Sequence, residues 1–342
     1  MATRAAASAS RKSRDSVSDD LAPRMTSDHF DGQYFRNPGE PDGARGLREL
    51  LRWRLNGRRA VWPRLVGNGR FPPPPASVAP GTVAVTFVNH ATMLITLPGA
   101  VVLTDPIFSE RCSPVAWAGP KRVRPPGVAL AELPRPDVVL LSHNHYDHMD
   151  LPSLRAIQRR HSPRFVTTLG NARGLARIGI HAVELDWWHG TDIGDLRITA
   201  TPARHFSART PFDRNRTLWA GFMVDGAGCR VLFAGDSGAG PHWDDIRTRL
   251  GAPDVALLPI GAYEPRWFMA PVHMNPAEAV QAHLALGARR SVGMHFGTFQ
   301  LTDEAIDAPL HELVAARVQA AIAEDAFVTH GFGETRIYAS GG

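Results

Sequence analysis

The feature that most restricts how this chain folds is a run of six residues, HNHYDH, that begins at His143. It directly follows the apolar segment 137–142, DVVLLS, whose composition predicts a buried β-strand. Delivering three imidazoles and a carboxylate from a buried strand into a turn is costly unless a partner satisfies them. A metal ion does so, and an HxH pair places two imidazoles on one side of an extended chain. His143 and His145 are therefore predicted to bind one ion, and Asp147 and His148 a second ion beside it.

A two-metal site needs further ligands, and three other predicted strands end in residues that can supply them. His205 follows LRITATP, Asp236 follows CRVLFAG, and His295 follows RRSVGM. Glycines flank Asp236 in FAGDSG and allow the backbone to turn sharply at that point. Taken singly, each residue could be an ordinary polar group at a strand end. Together with the first cluster, they predict a two-metal site built from histidine and carboxylate ligands.

The cysteines exclude other kinds of framework. Cys112 and Cys229 lie far apart in the chain, and no CxxC pair is present. The sequence therefore offers neither a disulfide scaffold nor a thiolate zinc site, and we expect both cysteines to be structural. A ligand set made only of nitrogen and oxygen donors suits zinc, and manganese or iron also fit it.

Residues from 81 onward alternate between short apolar runs and helical stretches, a pattern typical of an α/β domain. Strands are predicted at 82–88, 93–97, 100–105 and 137–143, followed by seven more candidates. Helices are predicted at 151–160, 171–178, 241–250, 276–286 and 309–322. Asn275, Pro276 and Glu278 have the N-cap pattern of a helix start. The strands come first in pairs and later alternate with helices, which predicts two sheets packed face to face with helices outside.

Positive charge is concentrated at the amino-terminal end of the chain. Of 38 Lys+Arg and 33 Asp+Glu, 14 and 8 respectively lie in residues 1–70, so the remainder is close to neutral. Residues 1–27 contain almost no large apolar side chain and are predicted to be a disordered tail. Residues 28–80 are predicted to form a basic arm ending in the Pro-rich linker FPPPPASVAP, and residues 81–342 the main domain.

The segment 45–66 of this arm has two interpretations. Its leucines recur at helical spacing, and seven arginines and one acid accompany two tryptophans. Such a basic amphipathic helix can lie on an anionic membrane surface, with Leu47, Leu51, Leu55 and Trp53 entering the interface. Alternatively, it packs its leucines on its own domain and leaves the arginines in solvent. No run approaches the about 18 apolar residues that a membrane-spanning helix requires.

Several longer stretches between roughly 85 and 338 carry a family resemblance. They include FVNHATMLI, LTDPIFSERCSP, GPKRVRPP, SHNHYDHMD, ELDWW, FAGDSG, PIGAYEPRWFM, HMNPAEAV and MHFGTF. Together with the HxHxDH pattern, they resemble the metallo-β-lactamase superfamily and, within it, N-acylphosphatidylethanolamine-hydrolysing phospholipase D and its bacterial relatives. The resemblance implies a four-layer αβ/βα sandwich with the metals at one edge between the sheets. Residues 81–342 would then form a hydrolase domain of this fold.

The resemblance also implies which residue binds which ion. It assigns one zinc ion to His143, His145 and His205, and the other to Asp147, His148 and His295. Asp236 bridges the two ions in this assignment. Asp147, Asp236 and His273 are the implied catalytic residues.

Two residues outside the set of predicted metal ligands each have two interpretations. Asp105, in LTDP, orients an imidazole by accepting its N–H, or else caps the turn before Pro106. His273, in HMNP, lies near the metals by resemblance, or else is only a residue at a helix entry.

The implied activity is hydrolysis of a phosphodiester bond in an N-acylphosphatidylethanolamine-type phospholipid, which gives phosphatidic acid and an N-acylethanolamine. Such an enzyme is expected in the cytoplasm, in peripheral contact with the inner face of the membrane through the basic arm. One alternative is a lactonase or phosphodiesterase with a small soluble substrate. Another is a nucleic-acid-binding protein or nuclease, but no nucleic-acid partner is expected, because the positive charge lies in the arm and not around the metal residues.

Overall fold

The computed structural model describes residues 26–39 and 46–341. The predicted disordered tail, 1–27, therefore lies outside the described residues except for its last two positions. Within the described part, fourteen strands form two seven-stranded sheets. Each sheet is antiparallel in one half and parallel in the other.

The first sheet has the order β14-β1-β2-β3-β4-β5-β6. Its strands are β1 (Thr82–Asn89), β2 (Thr92–Leu97), β3 (Ala100–Thr104), β4 (Val138–Leu141), β5 (Arg164–Thr168), β6 (Ala182–Leu185) and β14 (Thr335–Ala339). Pairing is antiparallel from β14 to β3 and parallel from β3 to β6.

The second sheet has the order β13-β12-β11-β10-β9-β8-β7. Its strands are β7 (Gly190–Ile193), β8 (Leu196–Thr201), β9 (Gly221–Gly226), β10 (Cys229–Phe233), β11 (Val255–Pro259), β12 (Arg290–Met294) and β13 (Phe327–Thr329). Pairing is antiparallel from β7 to β10 and parallel from β10 to β13.

Within the described residues, seven α-helices accompany the sheets, and five of them cover the outer faces. The seven helices are α1 (Leu47–Asn56), α2 (Leu151–His161), α3 (Ala172–Ala176), α4 (His242–Leu250), α5 (Arg266–Met269), α6 (Pro276–Leu286) and α7 (Ala308–Gln319). Because successive strand residues face opposite sides, Val138 and Leu140 pack between the sheets, whereas Val139 and Leu141 pack against α2 and α3. The second sheet is covered in the same way by α4, α6 and α7. The predicted four-layer αβ/βα sandwich is therefore confirmed.

Local sequence patterns predicted most of these helices and strands correctly. The N-cap pattern at Asn275 is confirmed, because its side chain accepts a hydrogen bond of 2.8 Å from the backbone N–H of Glu278. Gly287 ends that helix in the left-handed region, with φ of 59°. Both cysteines are buried free thiols, as expected for structural residues. Among the helices in the part of the chain that the structure describes, none is long and apolar enough to cross a membrane.

The arm helix α1 packs on the main domain through one tryptophan. Trp53 is buried, its ring centroid lies 5.0 Å from that of Phe268, and its Nε1–H donates to Asp303 Oδ2 at 2.8 Å. Leu51 and Leu55 are exposed. Neither interpretation of this segment holds in full, because Trp53 packs on the domain and these two leucines do not.

The described residues 26–39 also pack on the main domain. His29 lies between Asp28 and Asp186, and its ring stacks on Trp187 with centroids 4.3 Å apart. Asn37 donates a hydrogen bond of 3.0 Å to the backbone carbonyl of His205. The amino-terminal segment thus reaches the loop that carries a predicted metal ligand. The domain limits at 28–80 and 81–342 stay predictions.

Two substitutions on the same helix test how α1 is attached. Trp53→Ala should lower the free energy of unfolding by about 3 kcal/mol, because it removes a large side chain from a packed contact. Leu55→Ala should change it by less than about 0.5 kcal/mol, because Leu55 is 82% exposed. Urea unfolding of both variants measures the difference. Equal effects would show that α1 does not depend on the Trp53 contact.

Candidate metal centre

Polar residues gather where strands of both sheets end at a common edge. They follow the ends of β1, β3, β4, β8, β10 and β12 and comprise His90, Asp105, His143, His205, Asp236 and His295. The turn after β4 adds His145, Asp147 and His148. All seven residues predicted to bind metal are therefore on or beside this edge. They fall into four overlapping sets that also include His90, Asp105 and His273, and the predicted ligands of the two ions form two groups among them.

The first group consists of three imidazoles. His143 Nε2 lies 2.8 Å from His145 Nδ1, and His205 Nε2 lies 3.2 Å from the same atom. Three ring nitrogens that approach this closely converge on one point. This is the geometry in which a single cation accepts all three lone pairs.

The second group contains two imidazoles and a carboxylate. His148 Nε2 and His295 Nε2 are 3.2 Å apart, and Asp147 Oδ2 lies 3.5 Å from each. Asp236 Oδ2 lies 3.1 Å from His148 Nε2 and 3.2 Å from His295 Nε2. The same oxygen is 3.7 Å from His205 Nε2 in the first group. One carboxylate therefore reaches both groups.

Hydrogen bonds at the Nδ1 atoms of three rings determine which nitrogens face the centre of the site. His148 Nδ1 lies 2.6 Å from Asp105 Oδ2, and His205 Nδ1 lies 3.0 Å from the carbonyl of Val272. His143 Nδ1 lies 2.9 Å from Ser142 Oγ, whose hydroxyl donates to Asp105 Oδ2 at 2.5 Å. Carbonyl and carboxylate oxygens only accept, and the Ser142 hydroxyl gives its hydrogen to Asp105. Each Nδ1 therefore carries a proton, and each Nε2 is the nitrogen left to face an ion.

The hydrogen bonds of Asp105 decide between its two interpretations, as a residue that orients an imidazole or as a turn cap. It accepts hydrogen bonds from the imidazole of His148 and from both the hydroxyl and the backbone N–H of Ser142. Asp105 is fully buried, so its carboxylate is held by these donors and not by solvent. It therefore orients an imidazole, as the first of its two interpretations predicts.

Some ionisable groups at this edge are charged, and others are neutral. Burial raises the pKa of Asp236, but His148 and His295 lower it well below its ordinary value, so the carboxylate is anionic. Burial lowers the pKa of His143 and His205, and both rings stay neutral. Asp236 Oδ1 is buried and has no hydrogen-bond partner among the described residues. Neutral imidazoles, anionic carboxylates and this free acceptor fit two divalent ions.

His273 stands beside both groups. Its ring centroid lies 5.0 Å from that of His205 and 5.4 Å from that of His295. Burial lowers its pKa to about 4. The structure thus places His273 close to the groups, while its catalytic role stays a prediction.

His90 is a further residue of this edge that our sequence interpretation did not single out. Its Nε2 lies 2.9 Å from Asp147 Oδ2, its ring centroid lies 3.9 Å from that of His295, and its carbonyl accepts the His295 N–H. His90 sits in the two-residue turn between β1 and β2 with φ of 48°. The available signal was its position, because it follows an apolar strand as His205 and His295 do.

Comparison with known proteins gives the chain its family. The family model described as "Beta-lactamase superfamily domain" matches residues 101–296, more than half of the chain. This chain belongs to the beta-lactamase superfamily. A metallo hydrolase of known structure from the hyperthermophilic archaeon Ignicoccus hospitalis superimposes with a TM-score of 0.58 over 75% of this chain and 98% of that one. At 23% identity, that likeness supports the fold alone.

Relatives found by sequence comparison are more similar to this chain than the archaeal hydrolase is. Uncharacterized proteins of Mycobacterium bovis and Mycobacterium tuberculosis are 41% identical over 240 residues, which is 68% of this chain. The match covers 64% of the length of those relatives, slightly less than two thirds. The N-acyl-phosphatidylethanolamine-hydrolyzing phospholipase D 1 of Caenorhabditis elegans is 38% identical over 265 residues, 73% of this chain and 74% of the relative.

Metal uptake by the metal-free protein should release protons. Burial alone would lower the pKa of His295, but Asp236 and Asp147 raise it to about 9. Acidic neighbours likewise overcome burial and raise the pKa of His148 well above its ordinary value. An ion must displace these protons, so apparent affinity should increase as the pH rises towards about 9. Calorimetry in buffers of different ionisation enthalpy measures the release; an affinity independent of pH would contradict it.

Substitution of His90 should weaken metal retention without removing a predicted ligand. His90→Ala deletes the N–H that holds Asp147, and loss of such an outer contact typically costs about 10- to 100-fold in metal affinity. His90→Gln keeps an N–H donor and should recover part of the loss. Metal content after dialysis against a graded chelator measures both, with thermal unfolding as a check on the fold. Identical retention in both variants would show that the contact does not orient Asp147.

Proposed function

We propose that this chain is a phosphodiesterase of phospholipase D type that uses two zinc ions. Its substrate would be an N-acylphosphatidylethanolamine-type phospholipid, and its products phosphatidic acid and an N-acylethanolamine. The observation that carries the proposal is Asp236, an anionic carboxylate whose one oxygen reaches both groups of imidazoles. The name of the 38% identical relative from Caenorhabditis elegans supports the lipid substrate.

The proposed ligands follow the two groups. His143, His145 and His205 would hold one ion, and Asp147, His148 and His295 the other, with Asp236 shared between them. Two zinc ions bound there would supply Lewis-acid activation of water and of the phosphoryl oxygens. The protein's own contribution is to hold the ligands in one arrangement. Asp105 does this for His148 directly and for His143 through Ser142.

His273 would act on the phosphoryl group. The ring is buried beside His205 and Asp236, and its lowered pKa keeps it neutral at physiological pH. A neutral imidazole has one N–H to donate, and its Nδ1 has no hydrogen-bond partner among the described residues. We therefore assign His273 to orient a phosphoryl oxygen, or the leaving oxygen, by hydrogen bonding.

A substrate panel tests this proposal. The zinc-loaded protein is given N-acylphosphatidylethanolamine, phosphatidylcholine, bis-p-nitrophenyl phosphate and a lactone, and products are identified by mass spectrometry. Release of both phosphatidic acid and an N-acylethanolamine is the expected result. The Asp236→Asn variant is the control for contaminating activity, since it should lose turnover and bind both metals more weakly. Hydrolysis of the lactone with no phosphodiester cleaved would overturn the proposal in favour of lactonase activity.

A second variant separates a catalytic residue from a ligand. His273→Ala should lower turnover by about 10²- to 10⁴-fold, the range typical for loss of a positioned proton donor or acceptor. Its metal content should equal that of the unaltered protein, because His273 lies outside the two proposed ligand sets. Turnover and metal content are measured on the same preparation. Loss of an ion from this variant would identify His273 as a ligand.

A further inference from the structure

Two loops near the metal centre present large aromatic side chains at their tips. Trp117 is 81% exposed in the loop 111–121, and Phe212 is 85% exposed in the loop 206–216. We name them the Trp117 loop and the Phe212 loop. A single exposed apolar side chain is ordinary on a protein surface. These two stand on loops that both contact the segment carrying the predicted ligands.

The Trp117 loop is a closed hairpin. Arg111 and Lys121 pair as an isolated antiparallel bridge, and the backbone N–H of Cys112 donates to the carbonyl of Pro120. At the base, the buried guanidinium of Arg122 donates to two backbone carbonyls, at 2.9 and 3.0 Å. The same guanidinium lies over the ring of Phe299, 5.2 Å from its centroid. The exposed tip therefore stands on a fixed base.

The Phe212 loop is tied to the segment that carries the predicted ligands. The guanidinium of Arg209 donates to the carbonyls of Asn144 and Met149, at 2.7 and 2.8 Å. Asp213 accepts hydrogen bonds from the backbone N–H groups of Arg209 and Thr210, which closes the turn beneath Phe212.

Both loops meet at Tyr146, which lies between His145 and Asp147 in the chain. The Tyr146 ring packs on the apolar cluster at the base of the Trp117 loop, and its hydroxyl donates to the carbonyl of Arg209 at 3.0 Å. The Arg209 guanidinium covers the ring at 4.0 Å. The two aromatic tips thus belong to loops that both contact Tyr146, in the segment that carries the predicted ligands.

The charge of the two loops favours an anionic surface. The cations are Arg111, Lys121, Arg214 and Arg216, besides Arg209, whose guanidinium is engaged with Tyr146 and two carbonyls. Lys121 Nζ lies 3.7 Å from Glu110 Oε2. The carboxylates are Asp213, inside its loop, and Glu110, at the edge of the other loop. Arg214 lies over the ring of Phe206, which in turn contacts the His145 ring at 4.5 Å. Positive charge therefore extends from the loops to the metal edge, where a lipid phosphate would be cleaved.

We propose that Trp117 and Phe212 insert into a phospholipid surface and hold the metal edge against it. Tryptophan and phenylalanine on exposed loops can enter the headgroup and acyl boundary, while arginine and lysine contact anionic headgroups. This docking surface is separate from α1, whose Trp53 is already packed on the main domain. The proposal rests on the proposed function in so far as the substrate resides in that surface.

Vesicle binding by the full-length protein tests the proposal. The double variant Trp117→Ala/Phe212→Ala is compared with Leu284→Ala/Val318→Ala, which removes exposed apolar side chains from α6 and α7. Binding to sucrose-loaded vesicles of phosphatidylcholine and phosphatidylglycerol is measured by sedimentation. Loss of the two aromatic side chains should weaken binding at least about 10-fold, because burial of even one large apolar side chain is worth that much. The control variant should bind as the unaltered protein does.

Hydrolysis separates docking from chemistry. The Trp117/Phe212 variant should lose activity on N-acylphosphatidylethanolamine in vesicles. It should retain activity on soluble bis-p-nitrophenyl phosphate within about twofold, since both side chains are largely exposed. Added salt should weaken vesicle binding by the unaltered protein, because screening reduces the attraction of the cations.

Each of three outcomes would overturn either the docking surface or the proposed function. Equal vesicle binding by the two double variants would overturn the docking surface. Equal loss on the vesicle and the soluble substrate would also overturn it, because the loops would then support the site itself. If the unaltered protein binds vesicles through the two aromatics but cleaves no phosphodiester, the docking surface stands and the proposed function falls.

Discussion

A single buried carboxylate, Asp105, connects the two groups of histidines. Its side chain accepts the N–H of His148 in one group and the hydroxyl of Ser142, which in turn accepts the N–H of His143 in the other. Each bond fixes a tautomer and a ring orientation, so the inward-facing nitrogens of both groups depend on one residue. Because Asp105 is fully buried, any change in its position is passed to both groups together. The centre is in this sense one unit and not two adjacent sites.

The sandwich explains why such a unit can form. Residues that follow strands of both sheets lie at one edge, where the backbone leaves the sheets and turns freely. Strands buried on both faces hold these turns in place, as β4 does for the HxHxDH segment. Asp236 belongs to the second sheet and His148 to the first, yet their side-chain atoms lie 3.1 Å apart. The face-to-face packing of the sheets therefore sets the spacing of the proposed ligands.

Much of this arrangement could be predicted from the sequence, because the informative signals are local. An apolar strand that ends in His or Asp is visible in a few letters, and so is the cap at Asn275. His90 also follows an apolar strand, but its contacts with Asp147 and His295 join residues that are distant in sequence, and these contacts are what reveal its place at the site. The environment of Trp53 was missed for the same reason, since Phe268 and Asp303 lie more than two hundred residues further along the chain. Contacts of this kind follow from the packing of the whole domain.

The pairing of β14 with β1 has a consequence for the order in which the parts of the protein fold. The strand that precedes His90 is completed on one side only by residues Thr335–Ala339, at the far end of the chain. A nascent chain cannot form this pair until residues Thr335–Ala339 have emerged from the ribosome. Long-range pairing of this type makes assembly of the first sheet a late event. The strand that ends beside His90 therefore gains this neighbour only after every proposed ligand has been synthesised.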